Sequence, residues 1–560
     1  MASAAEHLLL AAVAVPASSY LIGFLVFVLV FLYNFLECHF LRDLVRGLRG
    51  DPVVLTYGPA CELYDAVVSK CRILHGRYLA TPWLSSPHLQ TGFLNFFGRP
   101  PAFRYRRQLF SVRDGGTIAL DWLLASDVKG YSLHTDGDIS KDDTTPIVVV
   151  VPGLTSDSAS PYIKHLVHTI AKQGWHVVVS NHRGLGGVSL TSEYFYNAGW
   201  TEDLREVVNY LNHEHPETPL FAIGTSIGAN ILVKYLGEDG ENTPVVAAAS
   251  VCSPWDLVVC DRFITRKLVQ RFYDRALTIG LQGYAKLHQP ILTRLANWEG
   301  IEKSRTVRDF DNHATRLVGK FETVDTYYRH CSSAQFVANV SIPLLCFSAL
   351  DDPVCTKEAI PWDECRANRN IVLATTVHGG HLGFFKGISA SSLWWVGAVS
   401  EYFNVLYSSP LMHKPRKAQN PGLHSPLESS IDKSPYVSIA EDGMVAAVRK
   451  DDVDTESTQD PSYDHKNPEN KSPETDQTQK DAVESTHPPG QNLQDSNNPG
   501  NDITSPMKSS TNKLSRQSNK SMWLLAYIAI VSTWPLVGSL LLIIFKRKLK
   551  NVLPDSWHRR

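Results

Sequence analysis

Ser226 lies in the segment whose residues point most directly to chemistry. Residues 221–236 read FAIGTSIGANILVKYL, so a short apolar run turns on Gly224-Thr-Ser-Ile-Gly228 and continues with apolar residues at helical spacing. A serine on a tight turn between a strand and a helix holds its Oγ above the sheet, and glycines beside it allow close backbone approach. Such a turn also occurs where a helix merely packs on a strand, but the partners found downstream favour a nucleophile elbow.

Two later segments supply the partners that a serine nucleophile needs. An apolar strand at 342–350 ends in Asp351 and Asp352, and a second strand at 370–377 ends in the segment 378–381, which reads HGGH. Parallel sheets place their ligands at the carboxyl ends of the strands, where all of these polar groups would meet. The chain order of nucleophile, acid and histidine is that of the α/β-hydrolase arrangement.

Each of these residues then has a defined role. A serine hydroxyl is a weak nucleophile, so a neutral imidazole must accept its proton during the attack, and we assign this role to His381. A carboxylate must orient that imidazole and stabilise its cation. Asp352 is favoured because the Pro-Val sequence after it turns the chain away from the strand, and Asp351 is the alternative.

The negatively charged tetrahedral intermediate needs two N–H donors that are already in place. The backbone amide of Ile227, directly after the serine, is the first predicted donor. The second comes from the loop after the strand at 147–151, which reads Pro152-Gly-Leu-Thr155, and Leu154 is the predicted residue. Ile227 and Leu154 therefore form the predicted oxyanion hole.

Two further patterns are similar to metal or cofactor motifs without completing them. His378 and His381 are three residues apart, but neither a third ligand nor an H-E-x-x-H pattern accompanies them. The loop 184–187, which reads GLGG, lacks the third glycine and the acidic partner of a dinucleotide site. The sequence therefore predicts no metal and no cofactor.

Seven stretches between about residues 85 and 405 carry a resemblance to a known family. In chain order they are His88-Leu-Gln-Thr91, Asp114-Gly-Gly116 with Leu120-Asp-Trp122, Val151-Pro-Gly-Leu154, Asn181-His-Arg-Gly184, Gly224-Thr-Ser-Ile-Gly228, Asp351-Asp-Pro353 and Gly379-Gly-His-Leu-Gly383. In these stretches the chain resembles the AB hydrolase 4 family. That family includes bacterial esterases, yeast medium-chain ester synthases that also hydrolyse, animal membrane phospholipases and plant embryogenesis-associated proteins.

The resemblance implies both a catalytic triad and a substrate class. Ser226, Asp352 and His381 correspond to the triad of the family, and the implied substrates are carboxylic esters of lipid or medium-chain acids. The sequence shows no H-x4-D acyltransferase box. Acyl transfer through the same acyl-enzyme nevertheless remains an alternative, since an alcohol can replace water in the second step.

The chain around these motifs predicts an α/β-hydrolase fold with a mostly parallel, doubly wound sheet. A hairpin at 104–112 and 118–124 would begin the sheet. Apolar strands and amphipathic helices then alternate, as a parallel sheet requires. The predicted strands are 147–151, 175–180, 219–224, 245–252, 342–350 and 370–377, and the predicted helices are 160–173, 198–212 and 227–236.

An insertion interrupts this alternation at about 254–340, within a hydrolase domain that we place at 85–405. The insertion is rich in leucine, arginine, phenylalanine and tyrosine, and it predicts several helices. We interpret them as a cap that covers the nucleophile and shapes an acyl pocket. Amphipathic helices that only pack on the core would show the same pattern.

Two uncharged segments near the ends predict transmembrane helices. Residues 20–36 read YLIGFLVFVLVFLYNFL, and residues 522–545 form an apolar run followed by a basic tail at 546–560. An N-terminal segment, 1–19, precedes the first span, and a membrane-proximal region, 37–84, leads from it to the hydrolase. Each span is long enough to cross a bilayer, so we expect an integral membrane protein.

The segment between the hydrolase and the second span predicts a disordered linker. Residues 408–521 contain only two aromatic residues, Tyr436 and Tyr463, amid serine, asparagine, aspartate, proline and lysine. A chain of this composition cannot bury enough apolar surface to order itself. It therefore serves as a tether or as a regulatory tail.

Charge and cysteine usage favour a cytosolic catalytic domain. Arg42, Arg46 and Arg49 follow the first predicted span, whereas basic residues lie on both sides of the second. Nine cysteines without tight spacing also suit the cytosol. We expect the endoplasmic reticulum or another endomembrane, and the net charge of −2 gives no indication of a nucleic-acid partner.

These observations together predict a membrane-anchored serine hydrolase that cleaves lipid, phospholipid or medium-chain acyl esters. The membrane and a lipid or acyl-ester substrate are the expected partners. The alternatives are an acyltransferase or ester synthase that uses the same acyl-enzyme, and a catalytically silent membrane scaffold, because a fold does not by itself imply a function.

Overall fold

The structure of the protein is a computed structural model that describes residues 16–35, 39–128, 139–140, 142–413, 437–439 and 445–447. The chain divides into two compact units. The first consists of Met1–Asp432 with Ser518–Arg560, and the second is Lys433–Gln517. All elements of the predicted hydrolase lie in the first unit.

A nine-stranded sheet forms the centre of the first unit. The strands of this unit are β1 (Asp51–Pro52), β2 (Val54–Thr56), β3 (Arg77–Tyr78), β4 (Arg106–Ser111), β5 (Thr117–Leu123), β6 (Ile147–Val151), β7 (His176–Ser180), β8 (Leu220–Thr225), β9 (Val245–Val251), β10 (Leu344–Ala349), β11 (Ile371–Thr376), β12 (Phe385–Lys386) and β13 (Ser392–Leu393). The order in the large sheet is β2-β11-β10-β9-β8-β6-β7-β5-β4. Strands β6 to β11 pair in parallel, and β2, β4 and β5 pair antiparallel. The predicted α/β-hydrolase fold is therefore confirmed.

Helices cover the sheet and form the insertion. They are α1 (Ala17–Phe35), α2 (Phe40–Arg49), α3 (Glu62–Ala66), α4 (Pro87–Phe97), α5 (Ala125–Val128), α6 (Pro161–Lys172), α7 (Glu202–Glu214), α8 (Ile227–Asp239), α9 (Leu257–Arg266), α10 (Leu268–Leu287), α11 (Gln289–Leu295), α12 (Trp298–Lys303), α13 (Val307–Phe310), α14 (Arg316–Val318), α15 (Val324–Cys331), α16 (Trp362–Ala367) and α17 (Trp394–Tyr407). A π-helical turn, Asp311–Thr315, joins α13 to α14. Helices α9 to α15 occupy the predicted insertion between β9 and β10.

The parallel strands are apolar runs because both faces of the sheet are covered. Every residue of β6, β8, β10 and β11 is buried. β-branched side chains suit such a pleated surface, and each fully buried valine or isoleucine contributes about 1.5–3 kcal/mol. The parallel register sets Ala349 of β10 opposite Thr376 of β11, and Thr225 of β8 opposite Val251 of β9. The carboxyl ends of these strands therefore open onto the same edge of the sheet.

The membrane-proximal region contributes strands that the sequence analysis does not predict. β2 joins the large sheet beside β11, and β1 pairs with β3 outside it. These strands are only two or three residues long, too short to show a period in the sequence.

Helix α1 forms where the first transmembrane span is predicted, at 20–36. Among the described residues, however, no helix is both long enough and apolar enough to cross a bilayer. The structure thus does not support the predicted span at 20–36.

The remaining predicted segments lie largely outside the described residues. The second predicted span, 522–545, and the basic tail, 546–560, are entirely outside them, as are most of residues 1–19 and of the linker at 408–521. Within the linker the structure describes a short 3₁₀ helix, Pro410–His413, in the first unit. In the second unit it describes an antiparallel pair of three-residue strands, β14 (Val437–Ile439) and β15 (Val445–Ala447). The sequence predicts no strands in this linker.

Candidate active site

Ser226 lies on the turn that joins β8 to α8. Its backbone has φ 54° and ψ −122°, a conformation that an L-residue rarely adopts, and its N–H donates to the carbonyl oxygen of Val251 at 2.8 Å. A Cβ at Gly224 would overlap the Gly228 carbonyl oxygen, and one at Gly228 would overlap the Pro152 carbonyl oxygen. Backbone contacts on both sides of the serine therefore require the two glycines of GTSIG.

The structure brings the hydroxyl, the imidazole and the carboxylate into one hydrogen-bonded row. The distance from Ser226 Oγ to His381 Nε2 is 2.9 Å, and the distance from His381 Nδ1 to Asp352 Oδ2 is also 2.9 Å. Because the carboxylate can only accept, the Nδ1 position carries the proton and Nε2 is left to accept from the serine. This is the geometry that general-base activation of a serine requires.

Asp352 is held in place by backbone donors as well as by the histidine. Its Oδ1 accepts hydrogen bonds from the amides of Val354 at 2.8 Å and Cys355 at 2.9 Å, which leaves Oδ2 to His381. The side chain is almost wholly buried. An Asp-Pro-Val turn therefore fixes the carboxylate before any substrate binds.

Asp351, the alternative acid, faces a different histidine. Its Oδ2 lies 3.1 Å from Nδ1 of His378, and its Oδ1 accepts from the Gly380 amide at 2.9 Å. Burial opposes the charged form of His378, but the hydrogen bond and the charge of Asp351 raise its pKa above the usual value. The pair thus holds the loop that carries His381 and does not touch Ser226.

Helix α4 supports the same loop from the other side. The backbone N–H of His381 donates to Thr91 Oγ1 at 2.9 Å, and Gly380, with φ 57°, packs against the Pro87 carbonyl. Thr91 belongs to the His-Leu-Gln-Thr stretch, to which the sequence analysis assigns no role. The structure gives that stretch a positioning function.

The two predicted oxyanion donors lie on either side of the serine. The Ile227 amide begins α8, directly after Ser226. A Cβ at Gly153 would lie 3.2 Å from Ser226 Cβ, so the loop containing Leu154 runs beside the serine. In the described part of the chain, neither the Ile227 amide nor the Leu154 amide donates a backbone or side-chain hydrogen bond. Both N–H groups are therefore available to a substrate oxygen.

Three buried side chains fix the loop that carries Leu154. His182 donates from Nε2 to the Pro152 carbonyl oxygen at 2.9 Å, and the hydroxyls of Tyr162 and Tyr196 accept from the amides of Gly153 and Thr155. Burial lowers the pKa of His182 to about 4, so the ring stays neutral at physiological pH. No pattern in the sequence predicts these roles, although His182 lies in the Asn-His-Arg-Gly stretch.

The loop with the sequence GLGG packs against the insertion. His288 contacts the Gly184 carbonyl oxygen through Nε2 at 2.8 Å, and the Tyr284 hydroxyl donates to the Arg183 carbonyl at 3.0 Å. With φ 74° and the Tyr284 and His288 rings against it, Gly184 has no room for a side chain. This packing explains why residue 184 is a glycine, and no dinucleotide site is needed to explain it.

A thiol also borders the triad. Ligand atoms of Cys252, Asp352 and His381 all lie within 4.8 Å of one another, a spacing that could hold a metal ion. Burial and the Asp352 carboxylate raise the pKa of the Cys252 thiol far above its usual value, which disfavours the thiolate that a metal would need. The carboxylate and imidazole are moreover already bonded to each other, so the cluster fits a hydrogen-bonded triad better than a metal centre.

Known proteins are similar to this chain in the region that contains Ser226 and Asp352. A family model, Hydrolase_4, described as "Serine aminopeptidase, S33", matches residues 142–372. The chain is 35% identical over 380 residues to the embryogenesis-associated protein EMB8 of Picea glauca, which covers 65% of this chain and 80% of that protein. It is 32% identical over 333 residues to phospholipase ABHD3 of Mus musculus, with coverage of 60% and 79%.

More distant similarities extend to another lipase and to solved structures. The chain is 28% identical over 358 residues to monoacylglycerol lipase of Saccharomyces cerevisiae, which covers 58% of this chain and 79% of that protein. Among solved structures, an esterase of Pyrococcus furiosus, Pf2001, aligns with a TM-score of 0.33 at 15% identity, over 54% of this chain and 92% of its own.

Proposed function

Because the chain belongs to the AB hydrolase 4 family, we propose that it is a membrane-associated serine hydrolase that cleaves carboxylic esters of lipids. Ser226 is the nucleophile, His381 the general base and acid, and Asp352 the orienting carboxylate. The observation that carries the proposal is the row of two 2.9 Å contacts from Oγ through the imidazole to the carboxylate.

The reaction proceeds in two steps through an acyl-enzyme. Ser226 Oγ attacks the ester carbonyl while His381 Nε2 accepts its proton, and the amides of Ile227 and Leu154 stabilise the resulting oxyanion. The imidazolium then protonates the departing alcohol, which leaves Ser226 acylated. In the second step a water molecule loses a proton to His381 and attacks the acyl carbon. The Ser226 oxygen then leaves with that proton.

Apolar surroundings of the oxyanion loop support an acyl substrate. The side chain of Leu154 packs against a buried cluster that includes Leu281 and Tyr284 of α10. The side chain of Ile227 packs against a second cluster with Phe321 and Tyr327. Both clusters contain residues of the insertion, so an acyl chain leaving the oxyanion hole would meet apolar side chains. The names of the phospholipase and monoacylglycerol lipase relatives agree with a lipid ester.

We place the enzyme at a membrane of the endoplasmic reticulum or another endomembrane, with the catalytic domain on the cytosolic side. Helix α1 supports a membrane location because many of its apolar side chains, among them Phe24, Phe27 and Leu29, are more than half exposed. Lipid esters would then reach the site at high local concentration.

A fluorophosphonate probe tests the proposal directly. The full-length protein in its membrane fraction should be labelled, and Ser226→Ala should abolish labelling, whereas the surface variant Ser389→Ala should not. Equal labelling of both variants, or no labelling of the unmodified protein, would favour the catalytically silent scaffold.

The acyl-transfer alternative needs a separate measurement. With a radiolabelled acyl ester as substrate, glycerol or ethanol is added in competition with water, and the two products are separated. We expect the free acid to dominate at every alcohol concentration that preserves activity. A predominantly esterified product would instead identify an acyltransferase.

A further inference from the structure

An exposed apolar surface lies on the membrane-proximal side of the hydrolase, outside the catalytic row. Its large apolar side chains are between 41% and 83% exposed, although a folded domain normally scatters such residues singly. We name this surface the docking face. Its side chains are Val45, Leu48, Leu79, Trp83, Phe97 and Ile388.

Three chain segments meet at the docking face: residues 40–50, residues 77–104 and residues 385–391. A Cβ at Gly50, just after α2, would lie 2.8 Å from Leu79 Cδ2, so the end of α2 touches the second segment. The Trp83 indole N–H donates to the Ile388 carbonyl at 2.8 Å, and this hydrogen bond joins the second segment to the third. Trp83 also lies edge-on to Phe93 at 5.0 Å. Because Phe93 stacks on Phe97 at 5.6 Å, the aromatic contacts continue along α4.

The charge of these segments is one-sided. Residues 77–104 and 385–391 contain no aspartate or glutamate, and residues 40–50 contain only Asp43, which is buried. The next acidic residue, Asp51, has a buried oxygen 3.8 Å from His378 Nε2. The basic residues of the three segments are Arg42, Arg46, Arg49, Arg77, Arg99, Arg104 and Lys386. The Asp51 side chain as a whole is 29% exposed, so one partly exposed anion stands beside these basic residues. Apolar side chains in segments with such an excess of cations complement a bilayer that contains anionic lipids.

We propose that the docking face binds the surface of an anionic bilayer and sets the active site against its own lipid substrate. The identity of the substrate in this inference rests on the proposed function, whereas binding to the bilayer does not depend on it. Trp83 suits such a surface, because its ring is partly exposed while its N–H is satisfied by Ile388. Helix α1, with its exposed apolar side chains, leads along the chain into α2 and so into the docking face.

The docking face is built on the elements that hold the catalytic histidine. Phe97 belongs to α4, whose Thr91 accepts from the His381 amide, and Ile388 lies seven residues after His381. On α2, the charge of Asp43 contributes to the raised pKa of His378, as does that of Asp51. A bilayer on this face would therefore lie close to the loop that carries His381.

Full-length protein in vesicles tests the consequence for catalysis. The variant Leu48→Ser/Phe97→Ser/Ile388→Ser removes apolar area that is already exposed, so folding should be preserved. We expect about a tenfold or greater loss of hydrolysis of a fluorogenic phospholipid in vesicles containing phosphatidylserine. Hydrolysis of soluble p-nitrophenyl butyrate should stay within about twofold, because the catalytic row is unchanged.

A matched control removes equally exposed apolar side chains elsewhere. Leu109 and Leu287 are 63% and 60% exposed, and Leu109 lies on β4, at the opposite edge of the sheet from β2. Leu109→Ser/Leu287→Ser should leave both rates unchanged. Equal losses in the two variants, or a loss that also affects the soluble ester, would overturn the docking role.

A spin label reports binding even if no ester is hydrolysed. Ile388→Cys and, as its control, Leu109→Cys are labelled, and the signal of the labelled parent protein is subtracted. In vesicles with phosphatidylserine the Ile388 label should become accessible to oxygen and protected from a nickel complex, while the Leu109 label stays in water. A label at 388 that remains in water would overturn the proposal. Immobilisation there only after addition of cytosolic protein would also do so, and would indicate a protein partner.

Discussion

Asp351 and Asp352 are adjacent in the sequence but have separate tasks in the structure. Replacing Asp352 by asparagine keeps an oxygen for the Val354 and Cys355 amides but removes the anion that fixes the Nδ1–H tautomer of His381. We expect kcat for a soluble ester to fall by about 10⁴-fold with little change in KM. Steady-state kinetics on purified protein provide the measurement.

Asp351→Asn is the matched control for that substitution. It weakens the bonds to His378 and Gly380 and should therefore lower kcat by only about tenfold, through a looser His381 loop. If Asp351→Asn proved the more damaging of the two, Asp352 would not be the acid of the triad.

Gly228 offers a test of the backbone around the nucleophile. A Cβ there would overlap the carbonyl oxygen of Pro152, the first residue of the oxyanion loop. Gly228→Ala should lower the free energy of unfolding by about 3 kcal/mol and reduce kcat by about 10²-fold, because the donors of Ile227 and Leu154 move apart. Chemical denaturation and ester kinetics measure the two effects.

Gly283 is the control glycine, because it lies inside α10 and a Cβ added to it would have no atom within 4 Å. Gly283→Ala should leave activity unchanged and raise stability by up to about 1 kcal/mol, since alanine favours a helix. Comparable losses at positions 228 and 283 would show that the tight approach at Gly228 is not what the elbow requires.

At the scale of elements, the insertion contains a buried carboxyl group in its π-helical turn. Burial raises the pKa of Asp311 to about 7, although the hydroxyls of Thr315 and Tyr328 donate to it at 2.6 and 2.8 Å. The unfolded chain ionises this group near pH 4, while the folded chain keeps it protonated up to about pH 7. The unfolded state therefore binds fewer protons in this window, and stability falls as the pH rises.

Asp311→Asn should remove that dependence. The amide can still accept from one hydroxyl and donate to the other, and it does not ionise. We expect the variant to be more stable than the parent at pH 8, by up to about 4 kcal/mol, and nearly equal to it at pH 4. Thermal unfolding at a series of pH values measures this; parallel curves for the two proteins would contradict the assignment.

The central elements could be predicted from the sequence because their physical cause is local. Strands such as β6, a run of valines, must be buried on both faces, and their length and spacing indicate a parallel sheet. The elbow was equally visible in GTSIG. The contacts that support the site were not visible, since the hydrogen bonds from His182 to the Pro152 carbonyl and from the His381 amide to Thr91 join residues 30 and 290 positions apart. No periodic pattern records such contacts.

At the scale of the whole molecule, the cytosolic location that we propose for the catalytic domain rests on its thiols and its basic residues. Each of the eight cysteines in the described residues is a free thiol, which suits a reducing compartment. Three arginines, at 42, 46 and 49, follow the apolar helix α1, and a positive charge excess marks the cytosolic side. Both observations support a hydrolase domain and a linker on the cytosolic face.

Protease protection measures that orientation. In sealed vesicles with the cytosolic face outward, trypsin should cut between residues 414 and 521, where lysine and arginine occur in a segment poor in apolar residues. The hydrolase domain should survive as a fragment, because its lysines and arginines lie in a packed fold and cleavage needs local unfolding. Vesicles opened by detergent are the control and should give the same fragment. If the linker were cut only after opening, the catalytic domain would face the lumen.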